Sequence, residues 1–191
     1  MKKSDILVAL VTGLVVALYF INLFKNPVFW ALVVVFPLLA VFCLWIAYLI
    51  GKKYLFIYQF AKFILIGALA TIFDLLTLSV FIKYSGADAG LTYSVLKGIS
   101  FIVATIAKYF ADKFWAFEKK ETTEAGKEFG KFFFVTIIGL FVNVLTASVV
   151  VDMGPKFNLP ADTWANIGGI VAVLPTFLWN FIGYKFLVFK K

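Results

Sequence analysis

The stretch Phe60–Phe81, FAKFILIGALATIFDLLTLSVF, decides the fold. It is an apolar run long enough to cross a bilayer, which takes about 20 residues of helix. One ionisable residue, Asp74, lies inside this run. Because a carboxylate facing hydrocarbon is costly, such residues turn toward other helices or toward water. The stretch therefore predicts a transmembrane helix whose polar face meets a partner inside the protein.

The same pattern occurs a second time, at Phe129–Val150, FGKFFFVTIIGLFVNVLTASVV. A shift of 69 positions carries Asp74 onto Asn143. The helices that follow are similar too, since a shift of 72 carries Lys108–Phe117, KYFADKFWAF, onto Asn180–Phe189, NFIGYKFLVF. The sequence therefore predicts a two-helix unit used twice, at about 60–117 and 129–189.

The composition excludes a water-soluble globule. Of 191 residues, 63% are hydrophobic and 15% charged, with a mean hydropathy of +1.01. Such a chain has too little polar surface to face water on all sides. The apolar runs of the chain are about twice as long as the strands of a membrane β-barrel and lack the strict alternation of apolar and polar residues that such strands show. We expect an all-α polytopic membrane protein with six transmembrane helices, at Ile6–Phe24, Val28–Ile50, Phe60–Ile82, Leu91–Phe110, Phe132–Val151 and Trp164–Ile182.

Two domains are expected, an N-terminal transmembrane hairpin at 1–53 and a four-helix membrane domain at 54–191. The hairpin has no counterpart in the repeat, so it is either a plain anchor or a lateral wall and docking face. Each repeat contains an even number of spans. The two copies therefore run in the same direction through the membrane and form a parallel repeat.

The net charge of +8 comes entirely from lysine, because the chain has neither Arg nor His. The lysines are concentrated on alternate loops, which lie on the same side of the membrane. This distribution indicates membrane topology, and not nucleic-acid binding, as the reason for the positive charge. By the positive-inside rule both termini are cytoplasmic in a cytoplasmic (inner) membrane. The lone Cys43 permits no internal disulfide and no cysteine metal site. The cytoplasmic group is Lys2, Lys3, Lys52, Lys53, Lys62, Lys113, Lys119, Lys120, Lys127, Lys131, Lys185, Lys190 and Lys191, against Lys25, Lys83 and Lys156 outside.

Each repeat helix carries one stripe of small and polar residues at helical spacing. Asp74 lies roughly 12 Å below the outer end of its helix, and Lys97 lies roughly 9 Å into the next span. These two residues are expected to pair, either as a structural ion pair that fixes helix register, or as a polar site for a sugar hydroxyl or a gate that a substrate opens. The intramembrane polar residues of interest are Asp74, Lys97, Asn143, Asn166 and Asn180.

Both repeats end in Lys-Phe-x-x-Phe, at Lys113–Phe117 and Lys185–Phe189. A lysine beside aromatic rings at the membrane interface suits a lipid phosphate, because the ammonium meets the anion while the rings lie at the acyl boundary. Ordinary snorkelling and aromatic anchoring explain each residue alone. The interface aromatics of the two ends are Trp115, Phe117, Phe186 and Phe189.

Together these features resemble the GtrA-like family, small membrane proteins associated with polyprenyl-linked sugars. The resemblance rests on the Phe-x-Lys-Phe start at Phe60, the Gly-rich first span with Asp74 before Leu-Leu, and Lys-Phe-Trp-x-Phe at Lys113. It covers about residues 60–191, so the hairpin at 1–53 departs from the usual four spans. Because this chain has no Arg, the resemblance gives no support for bidentate binding of a phosphate.

The resemblance implies translocation of a polyprenyl-phosphate-linked sugar across the cytoplasmic membrane, for cell-surface polysaccharide or glycan modification. A membrane-associated glycosyltransferase would be the partner, and homo-oligomerisation stays open. Lys108, Lys113 and Lys185 would meet the phosphate, and the sugar would pass along the intramembrane polar residues. No nucleotide-binding loop is present, and no cofactor or metal is expected.

Three other classes compete with this hypothesis. A non-transporting anchor would hold a polyprenyl-phosphate glycosyltransferase and supply it with lipid. A small-molecule exporter would require an acidic residue in an open cavity. The expected pairing of Asp74 with Lys97 disfavours this class. An enzyme acting alone is disfavoured, because the chain has no His and no soluble domain for acid-base chemistry. We therefore expect a protein that is not an enzyme.

Overall fold

The structure, a computed structural model, describes residues 1–24, 27–86, 90–121, 123–153 and 161–190. Some helical side chains, including that of Lys97 and those of 161–170, lie outside this description. Every regular element in the described ranges is helical. The six long helices are α1 (Lys3–Phe24), α2 (Leu32–Gly51), α3 (Leu55–Ser85), α4 (Gly90–Ala111), α5 (Ala125–Asp152) and α6 (Ala161–Gly183).

The predicted class, an all-α polytopic membrane protein, is confirmed. Five of the helices are long and apolar enough to cross a membrane, with mean hydropathies of their most apolar windows between 1.5 and 2.7. The fifth of these, in α6, is counted from Val171. Helices suit this composition because each one satisfies its own backbone hydrogen bonds, which lipid cannot do.

A short 3₁₀ turn, Pro27–Ala31, leads into α2, so that α1 and α2 form the predicted hairpin. The two helices approach closely at Gly13, where an added Cβ would lie 2.5 Å from the backbone of Pro37. Small residues at such a crossing allow tight backbone contact, which is how helices associate in lipid. Ala9 of α1 and Leu44 and Ala47 of α2 are buried together in one hydrophobic cluster.

Helix α3 ends at a glycine, as a helix that must stop at the membrane surface often does. Gly86 adopts a left-handed conformation, with φ of 68°, and its N–H donates to the carbonyl oxygen of Ile82 at 2.8 Å. A side chain at this φ would be strained, which explains glycine here. The cap marks the end of α3, before α4 begins at Gly90.

The chain forms two compact units, 1–118 and 119–191. In the first unit, α3 packs against α1, α2 and α4, so the hairpin and the first repeat share one core. In the second unit, α5 packs against α6. The predicted separation of a hairpin at 1–53 from a four-helix domain at 54–191 stays a prediction.

Candidate functional site

Each repeat ends in a five-residue π-helical turn, a feature that the sequence did not reveal. The turns are Asp112–Ala116 after α4 and Tyr184–Val188 after α6. The N–H of Phe117 donates to the carbonyl oxygen of Asp112 at 2.9 Å, and that of Phe189 donates to Tyr184 at 2.7 Å. Wider turns of this kind are frequent at functional sites. The two π turns are 72 positions apart in the sequence, the same shift that relates the second helices of the two repeats.

The π turns direct the last phenylalanine of each Lys-Phe-x-x-Phe motif into the protein. Phe117 and Phe189 are both 3% exposed, whereas Phe186 is 60% exposed. Trp115 is half-buried and donates its indole N–H to Asp5 at 2.9 Å. Of the four aromatics expected at the interface, Phe186 has the exposure that lipid anchoring requires. The assignment of all four to the interface stays a prediction.

The first repeat holds a buried charged pair at the end of α4. The Lys108 ammonium donates to Asp112 Oδ2 one helical turn away and lies 4.2 Å from the centre of the Phe63 ring. Asp112 is fully buried, while the Lys108 side chain is 16% exposed. The second carboxylate oxygen, Asp112 Oδ1, has no hydrogen-bond partner among the described residues. A buried pair of this kind is costly to make and more costly to break.

An apolar cleft of about 340 Å³ lies beside this pair and is called the α3–α4 cleft below. Its polar group is Lys108, at the end nearest the π turn, and large exposed side chains, Phe73 and Leu76, lie at the other end. Its volume falls within the range of small-molecule sites. The full lining is Val15, Ile66, Leu69, Ala70, Ile72, Phe73, Leu76, Ala107, Lys108 and Ala111.

The second repeat has neutral groups at the matched positions. Asn180 replaces Lys108 and Tyr184 replaces Asp112. The Tyr184 ring stacks on Phe132 with centres 4.2 Å apart, and its hydroxyl lies 2.6 Å from the Thr136 hydroxyl. Asn180 Oδ1 is buried without a hydrogen-bond partner in the described part of the chain. The predicted polar residue Asn180 is therefore packed inside its own repeat.

Mid-span polar contacts join the two helices of each repeat. In the first repeat, the Ser100 hydroxyl donates to Asp74 Oδ1 at 2.7 Å. In the second, the Asn143 amide donates to the Thr176 hydroxyl at 3.1 Å. Each mid-span residue thus contacts the next helix of its own repeat. The other two predicted residues, Lys97 and Asn166, have side chains outside the described set, so the Asp74–Lys97 pair stays a prediction.

The two lysines of the terminal motifs differ in exposure. Lys113 is 1% exposed, with its ammonium 3.5 Å from the Tyr109 hydroxyl. Lys185 is half-buried, and its ammonium lies 5.7 Å from the ring centres of Phe181 and Phe186. An ammonium over an aromatic face is attracted by the ring. Lys108, one of the predicted phosphate ligands, lines the α3–α4 cleft.

A cluster of charged and aromatic groups joins α1 to the first repeat and was missed from the sequence. Asp5, itself 1% exposed, accepts from the Tyr58 hydroxyl at 2.6 Å and forms an ion pair with Lys62 at 3.2 Å. Lys62 also pairs with Glu118 at 3.0 Å. This N-terminal cluster consists of Lys2, Asp5, Tyr58, Lys62, Trp115 and Glu118.

The N-terminal cluster is balanced in charge, with two lysines against two carboxylates. Burial alone would raise the pKa of Glu118, but hydrogen bonds from Lys2 and Lys62 outweigh it and hold the pKa below its usual value. The sequence did carry one signal, because Asp5 is the sole carboxylate before Asp74. A lone acidic residue at the start of a lysine-rich apolar chain needs a cationic partner.

No metal site is visible in this arrangement: within the described residues, no three His, Cys, Asp or Glu side chains are close enough to share an ion. The features on which the structure does converge are apolar spans, polar contacts between paired helices and a lysine at the end of an apolar cleft. They define a multi-pass membrane protein.

Comparison with protein families gives this class a more specific assignment. The chain belongs to the family described as GtrA/DPMS, transmembrane domain, whose sequence model matches residues 62–189. The match spans both repeats and leaves out the whole hairpin. Comparison with curated proteins and with solved structures gave no match. The predicted family is therefore confirmed.

Proposed function

We propose that this protein moves a polyprenyl-phosphate-linked sugar across the cytoplasmic membrane, supplying cell-surface polysaccharide or glycan modification. The observation that carries the proposal is the GtrA/DPMS family match across both repeats. Polyprenyl-phosphate sugars are amphiphiles, and this chain provides apolar spans with a buried cation, Lys108, at the end of one of them. The activity proposed is transport without catalysis of a covalent step.

The polar residues inside the spans would serve the sugar. Sugar hydroxyls need partners that both donate and accept, which Asp74, Ser100, Asn143 and Thr176 supply at mid-span. Lys97, Asn166 and Asn180 are proposed for the same role. A substrate hydroxyl would exchange for a contact already made inside each repeat, which avoids leaving a buried polar group unpaired.

The phosphate would be met at the cytoplasmic end, where we propose that Lys108, Lys113 and Lys185 lie. The proposed orientation follows the positive-inside rule, with both termini in the cytoplasm. A glycosyltransferase making the lipid-linked sugar on that side is the proposed partner. Transport in the outward direction would then be drawn by consumption of the sugar outside.

The test is leaflet transfer in vesicles that contain only this protein. The lipid-linked sugar is labelled in its sugar and placed in both leaflets, and a membrane-impermeant reagent then attacks the outer leaflet. With protein present, the inner pool should become accessible to the reagent, whereas empty vesicles should protect it. Transfer should fall in the variant Lys113→Ala/Lys185→Ala if those lysines meet the phosphate.

Asp74→Asn sharpens this test. Loss of a charged hydrogen-bond acceptor in contact with substrate should lower the transfer rate roughly tenfold, with less effect on the yield of folded protein. Ser79→Ala is the matched control on the same helix, because the exposed Ser79 hydroxyl donates to the carbonyl oxygen of Leu75 in that helix. Equal losses of rate and yield in Asp74→Asn would make Asp74 a structural residue.

If no transfer is observed, a second function remains consistent with the family assignment. If vesicles with protein protect the inner pool as empty vesicles do, while a glycosyltransferase added to the same membrane binds the protein, translocation is overturned. The protein would then be an anchor that holds the enzyme. Both outcomes are read in one preparation.

A further inference from the structure

The α3–α4 cleft combines an apolar lining with one cation, and this combination is the starting point. Along α3 the lining extends from Ile66 to Leu76, roughly 15 Å of helix. Phe73 and Leu76 are 43% and 48% exposed, so the cleft is open beside two apolar side chains of a helix that is apolar enough to span a membrane. A chain of hydrocarbon can therefore enter it from the membrane.

Lys108 stands at the polar end of the cleft. Asp112 fixes the Lys108 ammonium by an ion pair, and the Phe63 ring packs on it at 4.2 Å. An ammonium has three donors in different directions, so a carboxylate and a second anion can both be served. In low dielectric surroundings an anion placed here is attracted more strongly than in water. The cleft therefore has complementary charge for a phosphate and complementary surface for an apolar chain.

We propose that the α3–α4 cleft binds the polyprenyl chain of the lipid with its phosphate at Lys108, and that α1 forms one wall of the site. The proposal rests on the proposed function for the identity of the lipid. Asp112 is a positioning residue that holds the Lys108 ammonium at the end of the cleft.

The role of α1 follows from Val15, which lines the cleft although the family match begins at residue 62. The N-terminal cluster holds α1 against α3 and the π turn after α4 through Asp5, which contacts Tyr58, Lys62 and Trp115. The hairpin that distinguishes this chain from the matched family region therefore contributes directly to the site. It is a wall of the cleft in addition to any anchoring role.

The occupant is a single-chain phosphate lipid rather than a bulk phospholipid. The cleft is a single apolar space of about 340 Å³ ending in a single lysine, which matches one chain that bears one phosphate. A glycerophospholipid would have to leave its second chain outside the cleft. Bulk phospholipid is therefore a competing outcome of the test.

The experiment measures lipid binding to the purified full-length protein by native mass spectrometry. The probes are a polyprenyl phosphate, the polyprenol of the same length and phosphatidylglycerol. Ala107→Phe fills the cleft, and Ile106→Phe is its matched control, because Ile106 is 40% exposed on the same helix and does not line the cleft. Lys108→Gln/Asp112→Asn removes both charges together, and Lys53→Gln removes one exposed lysine elsewhere.

The unaltered protein should prefer the phosphate over the alcohol roughly tenfold or more, the effect of a charge-assisted hydrogen bond. Lys108→Gln/Asp112→Asn should abolish that preference but still bind the alcohol. Ala107→Phe should weaken both lipids by about tenfold, since the chain loses its apolar contacts. Both controls should bind as the unaltered protein does.

Three results would overturn the site: equal binding by Ala107→Phe and Ile106→Phe, an unchanged phosphate preference in the doubly neutral variant, or phosphatidylglycerol binding as tightly as the polyprenyl phosphate. If the doubly neutral variant fails to fold, the Ala107→Phe comparison still decides, because it leaves the charged pair in place. Binding here without leaflet transfer would overturn the proposed function alone. Transfer that survives both cleft variants would overturn the site alone.

Discussion

The two repeats share one backbone design and differ in charge at matched places. Both end in a π turn that buries a phenylalanine, and both join their helices by a mid-span polar contact. At the base of the turn, the first repeat has Lys108 and Asp112, where the second has Asn180 and Tyr184. The two copies therefore have polar groups at the same positions of the helices, but the residue types and charges at those positions differ between the copies.

A second difference concerns space. Ala70 in the first repeat lines the α3–α4 cleft, whereas the matched Gly139 in the second repeat is in contact with Asn180. The first repeat therefore keeps a cavity beside its cation, and the second fills the corresponding position with an amide. This difference makes the first repeat the better place for an anionic amphiphile.

The largest expected effect tests the charge difference. Lys108→Gln leaves Asp112 buried without its cation, and we expect a loss of about 3–5 kcal/mol in the free energy of unfolding. Lys108→Gln/Asp112→Asn should lose much less, since neither partner is then an unpaired charge. In the second repeat, Tyr184→Phe removes the contact with Thr136 and should cost only about 1 kcal/mol.

Unfolding in a mild detergent, followed by circular dichroism, measures all three variants. If Lys108→Gln and Tyr184→Phe lose the same stability, the charge at the first repeat has no special energetic role. The contrast between the repeats would then be one of composition alone.

The next effect concerns the lysine that begins each repeat. Lys62 is 1% exposed and pairs with Asp5, whereas the matched Lys131 is exposed. Asp5→Asn removes a charged acceptor of the Tyr58 hydroxyl and the Lys62 ammonium and should cost about 1.5–3 kcal/mol, the range for hydrogen bonds to charged groups. Lys131→Gln, the control in the other repeat, should change stability by less than about 0.5 kcal/mol.

Protease sensitivity of the loop after α2 reports the same loss locally, because Asp5 holds α1 to α3 and to the π turn after α4. Cleavage near Lys52 and Lys53 should become faster in Asp5→Asn and stay unchanged in Lys131→Gln. Equal cleavage of both variants would mean that apolar packing alone holds the hairpin in place.

The sequence was sufficient for the helices and the repeat, because long apolar runs and matched polar positions are local properties. It also identified Asp74 and Asn143 as mid-span polar groups, which the structure joins to Ser100 and Thr176. It missed the N-terminal cluster, since Asp5 meets residues 53 and 110 positions away.

The π turns were missed for a different physical reason. An extra residue in one helical turn changes the backbone register without altering composition, so neither apolar runs nor spacing reveals it. The inward direction of Phe117 and Phe189 follows from those turns and was missed with them. Asp112 was seen as part of a motif, but its ion pair with Lys108 depends on side-chain direction at the helix end.

The smallest effect tests the difference in space. An added Cβ at Gly139 would lie 2.3 Å from Asn180 Oδ1 and 2.9 Å from its Cγ, so Gly139→Ala forces the amide to move. We expect a cost of about 1–2 kcal/mol, as for modest overpacking. The double variant Gly139→Ala/Asn180→Ala should recover most of it, because the clash is removed with the amide. Ala70→Gly, at the matched place beside the cleft, should cost about 1 kcal/mol through helix propensity alone, and no change at Lys108 should rescue it. Thermal unfolding of these variants decides the matter, since a Gly139→Ala protein that Asn180→Ala does not rescue would place the tight contact elsewhere.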